Sequence, residues 1–269
     1  MCGRGVFHHG QSSSGQFSDN HSGRDGRSRL QLAAGKGRLP AWPAGGGFRN
    51  GPGLDFCQAL AGRRSRRHMR RGLDRFPIPE IAERVWARYY IPGGKTERAP
   101  YKPVPTHAKE THPELRELCV VANFVEVILA REGHDNPVGI NYLEKVQLPH
   151  LPSIYGAMLA GVGYILMGAG VPLKVPGVLD RFANHEPATY LLQVTGAQDD
   201  DDRTMAFTPS QFMGRELPPL ARPKFIPIIS SNTLATTMVK KADGKVDGFV
   251  IEGYTAGRPR QELGGEVPG

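Results

Sequence analysis

Apolar residues recur along this chain in two periods that alternate from about residue 76 onward. Over 78–90, Ile81, Val85 and Tyr89 stand four apart, the spacing of one helical face. Pro92-Gly-Gly94 stops that pattern, and a proline-rich stretch leads to Thr111. The sequence places Thr111 as an N-cap, with Pro113 in the first turn of a second helix. Leu115, Leu118, Cys119, Ala122, Val125 and Leu129 form its stripe, Val121, Phe124 and Ile128 widen it, and Gly133 closes it. An apolar surface this broad predicts packing on more than one side.

Strands and helices then alternate. Short apolar runs predict strands over 137–141, 163–167, 225–229 and 246–251, with helices over 153–160, 175–184 and 234–242. Residues 189–194 and 204–207 alternate like a hairpin around Asp199-Asp-Asp-Asp202. That acidic run lacks the spaced ligands and turn glycine of a calcium loop, and reads as a solvated turn. Strand, helix, strand in succession predicts a parallel sheet covered by helices, an α/β fold.

Composition separates the front of the chain from its body. Residues 1–75 hold 14 Lys and Arg against 4 Asp and Glu, while the remainder holds 20 against 22, so the net charge of +8 belongs to the N-terminal stretch. Residues 1–67 are rich in Gly, Ser and Arg without apolar period, and are expected to stand outside the fold as a disordered or out-of-frame segment. Their charge predicts weak, salt-sensitive attraction to polyanions and no specific nucleic-acid site; the alternative reading of the chain is a non-enzymatic protein that binds nucleic acid or a partner through this basic tail. Cys2, Cys57 and Cys119 have spacings that build no disulfide framework or zinc knuckle, which points to a reduced, cytoplasmic setting. No run of about 18 apolar residues predicts a membrane span, and no pattern specifies an oligomeric state.

In parallel α/β folds ligands lie beyond the carboxyl ends of the strands. The four predicted ends carry Asn141, Gly168-Ala-Gly170, Ser230-Ser-Asn232 and Glu252-Gly253. Glycine lets a flat ring or a phosphate approach the backbone, and Asn and Ser offer directional hydrogen bonds. Together the four ends predict a cofactor cleft. Other templates fail: Leu173 stands where a dinucleotide fingerprint needs its third glycine, and neither a phosphate loop nor a nucleophile elbow occurs. His107, Glu110 and His112 lie close together in a loop with no further metal ligand, and the two histidines read as solvated. His150 and His185 sit near helix boundaries and read as capping or surface residues, and neither Lys174 nor Tyr254 has a partner legible in the sequence.

Three stretches carry a family resemblance: Asn136-Pro-Val-Gly-Ile-Asn-Tyr-Leu-Glu-Lys145, Gly156-Ala-Met-Leu-Ala-Gly-Val-Gly-Tyr-Ile-Leu-Met-Gly-Ala-Gly-Val-Pro172 and Asp247-Gly-Phe-Val-Ile-Glu-Gly-Tyr-Thr-Ala-Gly257. Over about 68–257 the chain resembles the nitronate monooxygenases, also called 2-nitropropane dioxygenases, whose superfamily includes enoyl-reductase-like flavoproteins. The resemblance implies a (β/α)₈ barrel, here partial, holding FMN at its strand C-termini. It implies oxidation of a nitronate, with oxygen as co-substrate, to a carbonyl compound and nitrite. Asn141, Gly168, Gly170, Ser231, Glu252 and Gly253 would then be the cofactor-binding residues. No catalytic residue is assigned, because the family histidine that follows Ala-Gly-Gly is absent: Ala256-Gly257 runs into Arg258-Pro-Arg-Gln261. Residues 258–269 match no family strand. The chain as it stands is therefore expected to lose FMN that a version with both ends restored would keep, which the visible absorption of the two purified proteins checks.

Overall fold

The computed structural model describes residues 52–61, 66–96, 98–198 and 201–253. It opens with α1 (Pro52–Ala61), α2 (Arg66–Leu73), α3 (Pro79–Tyr89) and the long α4 (Pro113–Ala130). Pro113 costs nothing in a first turn, where its N–H would have no intrahelical partner. The cap is His112, not the expected Thr111: Nδ1 of His112 accepts the Glu114 amide at 3.4 Å. In α4, Leu115, Leu118, Cys119, Val120, Val121 and Val125 are all fully buried, as the breadth of its apolar surface predicts.

The helix α1 falls within residues 1–67, expected to stand outside the fold. Its Phe56, Cys57 and Leu60 are buried in the main core, on α4. One turn of apolar side chains seats this helix, and the Gly- and Arg-rich residues around it conceal so short a period. Residues 1–51 and 254–269, and with them the expectations for the N-terminal tail, Tyr254 and the C-terminal segment, lie outside the described residues.

The sheet comprises β1 (Gly139–Leu143), β2 (Tyr164–Gly168), β5 (Lys224–Ile229) and β6 (Val250–Ile251), in that order and parallel throughout. Between them run α5 (His150–Leu159), α6 (Val175–Ala183), the antiparallel pair β3 (Ala188–Leu191) and β4 (Thr204–Phe207), the short α7 (Pro209–Met213), and α8 (Asn232–Lys241). The strands follow chain order without reversal, which with right-handed crossovers places the connecting helices on one face. Ile140, Tyr142, Ile165, Met167 and Phe225 meet the helices in the main core. Leu143, Leu166, Ile226 and Ile228 alternate with them and lie outside that core on the opposite face. The described strands make an open sheet; they do not close the barrel expected from the resemblance.

Helix α5 carries the sheet onto α4. A Cβ at Gly156 would lie 2.2 Å from the Val120 carbonyl oxygen, so only glycine allows this backbone approach. Beneath it, the Tyr142 hydroxyl lies 3.0 Å from both Asn123 Oδ1 and the Ser153 carbonyl, and Asn123 donates to the Cys119 carbonyl at 2.8 Å.

The last strand is shorter than the expected 246–251, and the ladder explains why. The Phe225 amide is taken by the Asp247 carboxylate at 2.9 Å, and Pro227 has no N–H to give. Pairing with β6 begins only at Ile228. Asp247 also receives Arg222 Nη1 at 2.9 Å and Lys245 Nζ at 2.9 Å, while Arg222 reaches Asp180 and the Lys245 carbonyl. Burial works to raise the Asp247 carboxyl, but the Phe225 amide, Lys245 and Arg222 outweigh it and hold it below the ordinary carboxylate value. A depressed folded-state value contributes stability above the unfolded value of about 3.9, lost as pH falls through the folded one. Asp247→Asn is expected to lower stability at pH 7 by about 2 kcal/mol and to flatten its decline below about pH 4, as urea unfolding across pH will show.

Candidate functional site

Strand β1 runs two residues further than expected, to Leu143, so Asn141 sits in mid-strand and not at a strand end. The register aligns Asn141 with Leu166 and Ile226, and Leu143 with Gly168. Alternation puts all of these on the face away from the main core. Toward the carboxyl ends that face is apolar apart from Asn141, which is exposed; toward the strand starts it carries Lys224, whose Nζ lies over the Tyr164 ring at 5.6 Å. A Cβ at Gly168 would meet Ile228 Cδ1 at 3.2 Å, confirming that the two share this face. Ser231, Glu252 and Gly253 follow β5 and β6 at the same end of the sheet and are exposed.

Ser231 has a second employment. Its hydroxyl accepts the Leu234 amide at 3.3 Å and caps α8. The Glu252 amide donates to the Ile229 carbonyl at 2.8 Å, prolonging the β5–β6 ladder, and a Cβ at Gly253 would meet nothing within 4 Å. Gly168, Gly170, Ser231, Glu252 and Gly253 thus share one end of the sheet, while Asn141, in mid-strand, shares with Gly168 one face of adjacent strands.

Gly170 is differently placed. A Cβ there would lie 2.0 Å from Glu144 Oε2 and 2.8 Å from Glu144 Cβ. Its missing side chain makes room for Glu144, not for an approaching ring. Glu144, the residue after β1, was missed by sequence reasoning. It is 2% exposed and accepts the Tyr190 hydroxyl at 3.1 Å, while its amide donates to the Gly168 carbonyl at 2.8 Å. Between Gly168 and Gly170, Ala169 holds φ +61°, a left-handed conformation that alanine seldom adopts.

His150 closes the group. Its Nε2 lies 3.1 Å from the Leu143 carbonyl, and its ring meets Tyr190 edge to face at 5.3 Å. Burial pushes His150 down to about 4, against the pull of that carbonyl bond, so the ring is neutral near pH 7 and Nε2 carries the proton. Burial, and then Glu144, push the Tyr190 hydroxyl up, which keeps it a donor. His150 is therefore a strand-end anchor, buried where a surface role was expected.

The remaining candidates have structural work. His107, expected to be solvated, is partly buried, and that burial pushes its ring down. His185, at φ +58°, accepts the Tyr155 hydroxyl at 2.8 Å and lies 2.9 Å from the Pro218 carbonyl; Lys174 pairs with Asp243 at 3.7 Å. Asp199 and Asp200 lie outside the described residues, and Asp202 pairs with Lys109 at 2.5 Å. Among the described residues no three His, Cys, Asp or Glu side chains converge as metal ligands, and no helix is long and apolar enough to cross a membrane. A surface cavity of about 640 Å³ lies elsewhere, among Arg71, Arg75, Arg131 and His134. Arg71 and Arg75 there both pair with Glu132, at 2.5 and 3.6 Å.

No family model matches the chain, and neither a curated protein nor a solved structure matches it.

The Glu144–Gly170 fit gives a direct test. Gly170→Ala alone is expected to cost about 2 kcal/mol through overpacking. Glu144→Ala alone is expected to cost about as much, by leaving the Tyr190 hydroxyl without its acceptor. In the double variant the costs should fall short of their sum, a cycle that urea unfolding measures; strict additivity would mean the two residues do not share this space.

Proposed function

We propose that this sheet is an arc of a flavin-binding (β/α) barrel, and that the chain is an FMN-dependent oxidoreductase of the nitronate monooxygenase type. One observation carries the reading: an exposed amide, Asn141, stands in mid-strand on β1, on the face where Leu143, Leu166, Ile226 and Ile228 form an apolar surface toward the carboxyl ends of four parallel strands. An order that follows the chain, with helices on one face, supports a singly wound barrel over a doubly wound sheet, whose order reverses.

The residues present fit the group in part. The amide of Asn141 suits the polar edge of a flat ring, and Leu143, Leu166, Ile226 and Ile228 suit its apolar surface. Beside Ser231, the first amides of α8 have no intrahelical acceptor and favour an anionic group. Gly170 does not fit, because Glu144 fills its space. When bound, FMN supplies the two-electron oxidation of the nitronate and the reaction with oxygen, leaving a carbonyl compound and nitrite. The protein's share is to orient through Asn141, to exclude water with the apolar face, and to hold negative charge at the start of α8.

FMN added in excess is expected to bind reversibly, with its fluorescence quenched and its visible band shifted. Asn141→Leu removes the amide while keeping its bulk, and should weaken that binding about tenfold. Propane-2-nitronate and oxygen should yield nitrite only with FMN present. Unchanged flavin fluorescence at millimolar FMN would sink the proposal.

A further inference from the structure

The 168–170 loop, between β2 and α6, is held in an unfavourable shape by residues far from it in sequence. Ala169 is exposed and left-handed, and such a conformation persists only where the surroundings over-determine it. Its two flanks show what does so. The Glu144 amide holds the Gly168 carbonyl at 2.8 Å, and the Glu144 side chain fills the space beside Gly170.

Glu144 is itself held from the β3–β4 hairpin. Tyr190, 4% exposed and braced by the His150 ring, donates to Glu144 Oε1. Three residues on, the Gln193 amide donates to Gln147 Oε1 at 2.7 Å, so the hairpin grips the segment after β1 at two points. Among the described residues no basic side chain pairs with Glu144, and a buried carboxylate so placed is costly to keep. A core-filling apolar residue would serve packing alone as well.

We infer that Glu144 and Tyr190 are positioning residues, which hold the Gly168–Ala169–Gly170 loop in its left-handed shape and so link the β3–β4 hairpin to the candidate site. The link to the site rests on the flavin reading of that face; the positioning does not. Glu144 acts on the loop, and Tyr190 acts on Glu144.

Two measurements on the full chain separate these parts. The first is amide exchange by mass spectrometry, followed on peptides covering 168–173 and, for comparison, α8. Tyr190→Phe removes one hydrogen bond and almost no volume, and should speed exchange at 168–173 about fivefold while leaving α8 unchanged. Glu144→Gln keeps both the acceptor and the bulk and should behave as the parent. Glu144→Ala should exceed Tyr190→Phe. Equal exchange in all four proteins, or acceleration spread evenly over the fold, would overturn the inference. The second measurement is FMN affinity, at a temperature where every variant is folded. A Kd raised about fivefold by Tyr190→Phe and restored in Glu144→Gln supports the link to the site. An unchanged Kd in a protein that does bind FMN overturns that link. A parent chain that binds no FMN removes the flavin reading, and the exchange result then decides the positioning by itself.

Discussion

The architecture depends on one close approach, between Gly156 of α5 and the Val120 carbonyl of α4. Helices α1, α2 and α3 gather on α4, which packs on α5, and Tyr142 of β1 bonds to both α4 and α5. Any side chain at residue 156 would force the helices apart and open the layer in which Tyr142, Asn123 and Ser153 exchange hydrogen bonds. Those bonds hold the core-facing side of β1, so the same contact also sets the height of Asn141 on the other side. Packing of the helical layer and presentation of the candidate face are two results of one constraint.

From that layer outward the polar groups divide by their role. Arg222 and Asp247 tie the beginnings of β5 and β6 through charge-assisted bonds. His150 and Glu144 work at the opposite end of the sheet, beyond β1, and engage backbone and hydroxyl groups. The ionic tie of Arg222 and Asp247 thus lies where β5 and β6 start, whereas the bonds of Glu144 and His150 lie at the carboxyl end of β1. A cation placed beside Glu144 would compete with Tyr190 for its oxygens.

The alternation of β1, α5, β2, α6, β5 and α8 was legible because each element has its own apolar period. The hairpin was legible for the same reason, its outward Thr189 and Leu191 alternating with Ala188 and Tyr190 inside. Asn141 was misplaced because β1 continues through Tyr142, whose aromatic ring resembles a boundary residue and whose hydroxyl finds partners on α4 and α5. Glu144 was illegible. An acidic residue followed by a lysine reads as a solvated turn, and its burial depends on Tyr190, forty-six positions away. Helix α1 was hidden by its neighbours and α7 by its length. The signal that finds Glu144 is the pair of glycines at the end of β2, once one of them is known to make room for a side chain.

The pairing of α1 with α4 also bears on chemical access. Cys57 and Cys119 are buried there, and burial pushes both thiols up, Cys119 to about 12. Only the thiolate reacts quickly with alkylating reagents, so in the closed layer these two sulfurs are protected by both exclusion and protonation. Each becomes reactive when the helices part and water enters. The rate at which they are labelled is therefore a clock for the opening of the helical layer.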